Sequence, residues 1–373
     1  MTDTIAVAGH CHPRFAGIRA AFADNFAERG DVGAAVAVYH QGELVVDLTG
    51  GWQDAARTRP WAADTVVNVW SSTKGVQAAC FAMLVDAGKL DYADPVAHHW
   101  PEFAAAGKDR ITVGQLLSHQ GGLCGFTDPA TVEDLLGGSR SAARLAAQAP
   151  LWEPGTASGY HAVTIGIMGT ELFQRIEGRS IRQFVADELR GQRGFDISIG
   201  LALHDDHRRA DIIAPPKMDS RQLGSLSPEQ IAALGNPGLD PQMPNDPRWR
   251  AADLPSANGH TNARALAGLY AAVLSGDLVS PAALARATTP QIDGTDRVLG
   301  IPAQWGAGYL LNAQRHYGPN PETFGHSGWG GSFAIGDPVA GVTLSYTMNR
   351  MGTQLRDDPR DLALIGALYA SLA

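Results

Sequence analysis

The chain has 373 residues, 45% of them hydrophobic and 18% charged, with a formal net charge of −9. That composition excludes a disordered chain, and an acidic balance with scattered Lys and Arg excludes a surface built for nucleic acid or an anionic membrane. Cys11, Cys80 and Cys124 are too few and too scattered for a disulfide framework or a zinc ribbon, and no run has the apolar length of a membrane helix. A cytoplasmic protein without a signal peptide is therefore expected.

From the N-terminus, Phe15, Ile18, Phe22, Ala23 and Phe26 recur at helical spacing, which predicts a helix over 12–29 ending at Gly30. Two β-rich runs, 33–39 and 43–48, follow, joined by His40-Gln41-Gly42 as a hairpin connection. Residues 57–65 read as a loop leading to Asn68-Val-Trp-Ser71-Ser-Thr-Lys74-Gly75 and an apolar helix that stops at Gly88. A short helix over 109–117 with Thr112 as N-cap precedes a Gly-Gly loop at 118–123. Helical patterns dominate the next stretch, at 132–136, 141–148, 163–176 and 181–189. The segment 215–255, rich in Pro, Asn and Asp, reads as a long surface excursion of the kind that walls binding sites. An amphipathic helix over 261–274, strands at 304–311, 323–327, 331–336 and 342–348, and a closing helix over 362–372 complete the chain. A strand-rich, helix-rich, strand-rich order predicts an α+β fold: an antiparallel sheet flanked by helices, with a mostly helical domain inserted. The expected division puts 1–70 with 275–373 in the sheet domain and 71–274 in the helical domain.

Three stretches carry candidate chemistry. Ser71 and Lys74, three apart at a helix start, share a face, and an amine of lowered pKa beside a hydroxyl can take its proton. The bland alternative is a capped helix with a solvated lysine. Trp152-Glu-Pro-Gly-Thr-Ala-Ser-Gly-Tyr160 sets a tyrosine just before a helix, where packing alone is the commoner role. Phe324-Gly-His326-Ser327-Gly328-Trp329-Gly-Gly-Ser332 is a glycine-dense strand edge able to offer backbone N–H groups to an oxygen; a bulged hairpin is its bland counterpart. There is no G-x-S-x-G elbow, phosphate-cradling loop or dinucleotide fingerprint. His98-His99, His204 with His207, and His10 with His12 lack metal-ligand spacing and read as solvated or incidental, and Ser256-Ala-Asn258 reads as loop.

Together these stretches resemble the serine β-lactamase and penicillin-binding-protein superfamily, in particular class C enzymes and the family VIII carboxylesterases. Ser71 precedes Tyr160 by 89 residues and His326 by 255 residues. Leu116-Leu-Ser-His119-Gln-Gly-Gly-Leu123 resembles a further segment of the family. The resemblance implies a β-lactamase-like fold with Ser71 as acylated nucleophile, Lys74 as its partner and Tyr160 as general base that later shuttles the proton to the leaving group, given cations to lower its pKa. The sequence leaves the division of the base role between Lys74 and Tyr160 open. The resemblance also implies an oxyanion hole from the backbone N–H groups of Ser71 and Trp329, and a substrate site including His326 and Gly328. Trp152 and Trp329 read as walls of the acyl pocket, with core packing a nearly equal reading for Trp152. His119 is read as structural. Where β-lactamases carry Lys-Thr-Gly the chain has His326-Ser327-Gly328, and where they carry Tyr-x-Asn it has Tyr160-His161-Ala162. Both departures weaken recognition of anionic β-lactams and favour a neutral, small ester. The expectation is a hydrolase of short-chain carboxylic esters working on a small molecule without metal or cofactor. A β-lactamase, D-amino-acid peptidase or amidase is the alternative among enzymes, and an inactive ligand-binding relative the alternative outside them.

Overall fold

A computed structural model describes residues 5–216, 226–354 and 356–373. Among these residues a nine-stranded sheet runs in the order β1-β3-β2-β12-β11-β10-β9-β8-β7, with every neighbouring pair antiparallel. Its first strands are β1 (Val7–Cys11), β2 (Gly33–His40) and β3 (Glu43–Gly51). The expected hairpin joins β2 to β3: Gln41 and Gly42 both take positive φ (52° and 83°), the turn whose twist matches paired strands. The C-terminal part of the chain supplies β7 (Ile292–Thr295), β8 (Pro302–Trp305), β9 (Leu310–Leu311), β10 (Phe324–Ser327), β11 (Phe333–Asp337) and β12 (Val342–Met348). Strand β12 pairs with β2, Leu344 opposite Val38, so the two ends of the chain close one sheet.

Every residue of β12 and the run Gly33–Val38 of β2 are buried, which requires cover on both faces of the sheet. The terminal helices Ala16–Ala27 and Pro359–Leu372 pack on each other, and Ala263–Ser275 packs on β2, β11 and β12. That last helix, expected in the helical domain, thus belongs to the sheet by contact. A second sheet of three short strands, β4 (Val67–Asn68), β6 (Gly259–Thr261) and β5 (Ile197–Ile199), joins the segment before Ser71 to the far end of the helical region.

The expected strand over 304–311 is two strands, because the chain turns at Gly306 and at Gly308 with φ of 91°. The strand expected from Gly331 starts at Phe333, since Gly330 and Gly331 hold φ of 96° and 115°. Within the expected excursion 215–255, residues 217–225 lie outside the described residues. The described part carries the helices Pro228–Leu234 and Pro247–Ala251. No helix among the described residues is long and apolar enough to cross a membrane.

Candidate active site

Ser71 sits on a strained turn ahead of the helix Thr73–Asp86. Trp70, just before it, takes φ of 46°, a region that costs a bulky residue energy and persists only where the surroundings enforce it. The enforcement is visible. Asn68 Oδ1 accepts from the Trp70 N–H at 3.0 Å, and the Trp70 ring packs against Trp249 at 5.3 Å and Trp329 at 5.0 Å. The turn therefore presents Ser71 to a cavity of about 490 Å³ rather than continuing the helix backwards.

The next helical turn carries Lys74 beneath that hydroxyl. Its Nζ lies 3.2 Å from Ser71 Oγ and donates to the carbonyls of Ala162 at 2.8 Å and Ser256 at 2.9 Å. The side chain is buried, no carboxylate among the described residues accompanies it, and desolvation pushes its pKa well below 10.5. Tyr160 covers the pair, with its ring centroid 4.6 Å from Lys74 Nζ. Burial pushes the Tyr160 phenol up, against a hydrogen bond with Ser71 that pulls it down; the Asp296 charge adds to the rise. The ring stacks on Trp305 at 5.7 Å and meets His119 edge-on at 4.9 Å. His119 Nδ1 in turn accepts from the His161 N–H at 3.2 Å, and His161 Nε2 accepts from Leu123 N–H at 3.1 Å. Both histidines brace the tyrosine from below.

The glycine-rich edge after β10 closes the other side. Ser332 Oγ donates to the Val69 carbonyl at 2.8 Å, and Ser72 Oγ donates to the Ser332 carbonyl at 3.0 Å. These bonds press residues 328–332 onto the segment carrying Ser71, so closely that a Cβ on Gly328 would stand 2.2 Å from the Val69 carbonyl. Trp329 and Gly328 both line the cavity. So does His326, whose Nδ1–H donates to the Ser327 carbonyl at 2.8 Å; burial, then the Lys74 charge, holds its pKa down to about 3 and keeps the ring neutral.

Ser71, Lys74, Tyr160, His326, Gly328 and Trp329 thus converge on one place. Trp152 does not line the cavity, and of its two readings its contacts are those of core packing. Its indole N–H donates to the Ala157 carbonyl at 3.0 Å, and its ring lies against Gly159, where a Cβ would meet it at 2.4 Å. It is the packing core of the turn below Tyr160.

Three contributors escape a reading by residue type. Ala162 and Ser256 act through backbone carbonyls, which no motif records, and Ser256 belongs to the stretch read as plain loop. Asp296 is fully buried and its Oδ1 accepts from the N–H groups of Tyr160, Val298 and Leu299 at 2.9, 3.0 and 2.9 Å. An isolated aspartate in a turn carries no signal of that task. Among the described residues no group of three or more His, Cys, Asp or Glu side chains could hold a metal ion.

The sequence matches a family of known proteins. The Beta-lactamase family model matches residues 19–368. The chain belongs to that family. It is 34% identical over 362 residues to Esterase/beta-lactamase LipL of Mycobacterium tuberculosis (strain ATCC 25618 / H37Rv), across 92% of this chain and 83% of the relative. A crystal structure of a family VIII carboxylesterase superposes with a TM-score of 0.93 at 41% identity, covering 98% of this chain and 100% of the other. A penicillin-binding protein homolog from Caulobacter crescentus superposes with a TM-score of 0.92 at 44% identity, with the same coverage. The fold is β-lactamase-like, as the resemblance implies.

Proposed function

We propose that this beta-lactamase family member is a serine ester hydrolase that cleaves carboxylic esters through an acyl-enzyme on Ser71. The observation that carries the reading is the set of partners around Lys74 Nζ: two carbonyls and one serine hydroxyl, with no carboxylate. A neutral amine has two hydrogens and one lone pair. The carbonyls of Ala162 and Ser256 take the hydrogens, which leaves the lone pair for the Ser71 O–H. The relatives named as esterases support the same chemistry.

The steps follow from that protonation. Lys74 takes the Ser71 proton as Oγ attacks the ester carbonyl. The oxyanion is held by the backbone N–H groups of Ser71 and Trp329, on the two segments that Ser332 pins together. Tyr160, protonated because burial raises its pKa, gives its proton to the departing alkoxide and is reloaded from the Lys74 ammonium. Water then attacks the acyl group, its proton passes to the same pair, and Ser71 leaves with a proton restored. This assignment keeps the expected delivery of the proton to the leaving group by Tyr160 and gives the base role, open between the two residues in the sequence, to Lys74. A tyrosinate base needs cations that lower its pKa, and the cation it meets, Lys74, is itself pushed toward neutrality.

Neutral His326 in the position of a β-lactamase lysine offers no charge to a β-lactam carboxylate, which supports a neutral ester as substrate. The three cysteines all stand as free thiols, consistent with a reducing, cytoplasmic setting. The deciding experiment exposes the protein to a fluorophosphonate, p-nitrophenyl butyrate and a penicillin. One adduct on Ser71, butyrate turnover abolished by Ser71→Ala, and slow penicillin turnover are expected. Butyrate turnover undiminished in Ser71→Ala overturns the reading, and fast penicillin turnover moves the chain to the lactamases.

A further inference from the structure

One wall of the Ser71 cavity has no part in the chemistry above. It is built from Val298, Leu299 and Ile301 on the turn after Asp296, and from Leu226, Leu234 and Leu239 around the helix Pro228–Leu234. The two pieces are fastened to each other. Gln230 Nε2 donates to the Val298 carbonyl at 3.0 Å, and Arg297 pairs with Glu229 at 2.9 Å. The helix is also fastened from behind. Asn236 Nδ2 donates to the Phe126 carbonyl at 2.8 Å, and a Cβ on Gly125 would stand 1.8 Å from the Ala232 carbonyl, so only glycine admits the helix this close. Ala232 and Ala233 face inward and are buried, whereas Leu226 and Leu234 remain 46% and 39% exposed beside the cavity.

A braced helix that, among the described residues, leaves Leu234 and the flanking Leu226 exposed at a cavity mouth offers apolar surface to a ligand. The polar lining groups sit around the nucleophile or are engaged by other groups. Ser71, Tyr160, His326 and Ser327 surround the nucleophile. Arg356 donates to the Pro302 carbonyl at 2.7 Å and lies 3.2 Å from His316, which pairs with Asp357 at 2.9 Å; Asp361 completes the polar lining.

We infer that this wall is an acyl-chain pocket and that the substrates it favours are esters of elongated apolar acids, about six to ten carbons long. The inference rests on the Ser71 ester-hydrolase reading and names the substrate class of that site. A cavity of 490 Å³ falls within the size range of small-molecule pockets, with room for such a chain and a small alcohol together. Short-chain esters enter the same site and fill only the part next to Ser71. Each further methylene buried against the leucines raises kcat/KM by about fourfold at most.

The test is a series of p-nitrophenyl acetate, butyrate, octanoate and dodecanoate with the full chain. From butyrate to octanoate kcat/KM is expected to rise by about tenfold or more, then to fall at dodecanoate as the chain outruns the cavity. Leu234→Asp, and independently Leu239→Asp, place a carboxylate in the wall and are expected to lower the octanoate-to-acetate ratio by about tenfold, at an unchanged thermal midpoint. Both positions are at least partly exposed, so a folding failure of one variant leaves the other informative. A kcat/KM that stays flat or falls from butyrate to octanoate, or a ratio untouched in both variants, overturns the pocket and leaves the hydrolase reading standing. No turnover of any ester and no Ser71 acyl adduct would instead overturn the hydrolase reading beneath it.

Discussion

Lys74 Nζ stands 3.2 Å from Ser71 Oγ while its other two partners, at 2.8 and 2.9 Å, are the carbonyl oxygens of Ala162 and Ser256. Burial disfavours the ammonium, so the free amine forms well below the ordinary lysine value of 10.5. The protonated amine cannot accept the serine proton. kcat/KM for a neutral ester is therefore expected to fall as pH drops through the lowered Lys74 pKa. It should stay high on the alkaline side, because Tyr160 must lose its proton for activity to fall and burial holds it above 10.0. His161 and His326, held near 3 by burial, add no limb around neutrality. A pH–rate profile from about 5 to about 10 checks this. A descending alkaline limb below about 9 would mean that a required proton donor is lost there, and would overturn a buried Tyr160 that stays protonated as the donor to the leaving group.

Replacing Tyr160 by Phe isolates the hydroxyl. The ring keeps its stack on Trp305 and its edge contact with His119, so packing survives. The proton donor to the leaving group does not. kcat is expected to drop by about 10²- to 10⁴-fold, with a thermal midpoint close to that of the unaltered chain. Calorimetry beside steady-state kinetics separates the outcomes: a large fall in midpoint would make Tyr160 a core residue first.

The parts of this site that a sequence could reveal are those that depend on side-chain type at fixed local spacing. Ser71 and Lys74 lie one helical turn apart, and the hairpin at Gln41-Gly42 needs residues that accept positive φ. Both are local facts. What stayed hidden was made by tertiary contact. The carbonyls that orient Lys74 belong to Ala162 and Ser256, and Asp296 reaches the Tyr160 N–H from the far side of a turn. Strand β1 is an exposed edge strand with no apolar alternation to mark it, and β4, β5 and β6 are too short to show a period. Trp152 has two readings in sequence because a tryptophan near a motif looks the same whether it faces the cavity or Gly159.

Gly328→Ala probes the contact that aligns the two halves of the oxyanion site. The added methyl would lie 2.2 Å from the Val69 carbonyl and 2.3 Å from Ser332 Oγ, both tied into the Ser71 segment. Residues 328–332 must move away, and the Trp329 N–H moves with them. A loss of about 10²- to 10³-fold in kcat is expected, larger than the change in KM, because the oxyanion exists only in the transition state. Single-turnover kinetics should place the loss in acylation. An equal fall in binding and turnover would mean that the loop holds substrate rather than charge.

Asp205 tests the stability of the region behind the second sheet. It pairs with Arg190 at 2.8 Å and Arg208 at 2.9 Å, and Arg208 also pairs with Asp196, next to β5. Burial works against the Asp205 carboxylate, but the hydrogen bonds and charges of Arg190 and Arg208 outweigh it and bring its pKa from 3.8 to about 2. Because the folded value lies below the unfolded one, the stabilisation is fully present above about pH 4 and is lost as pH falls through about 2. A shift of that size corresponds to about 2 kcal/mol. Asp205→Asn is expected to lower the unfolding free energy by about that amount near neutral pH, with the gap narrowing on acidification. Urea denaturation of both proteins at neutral pH and near pH 3 reads the difference. A gap that stays constant between the two would assign the loss to packing and not to the charge.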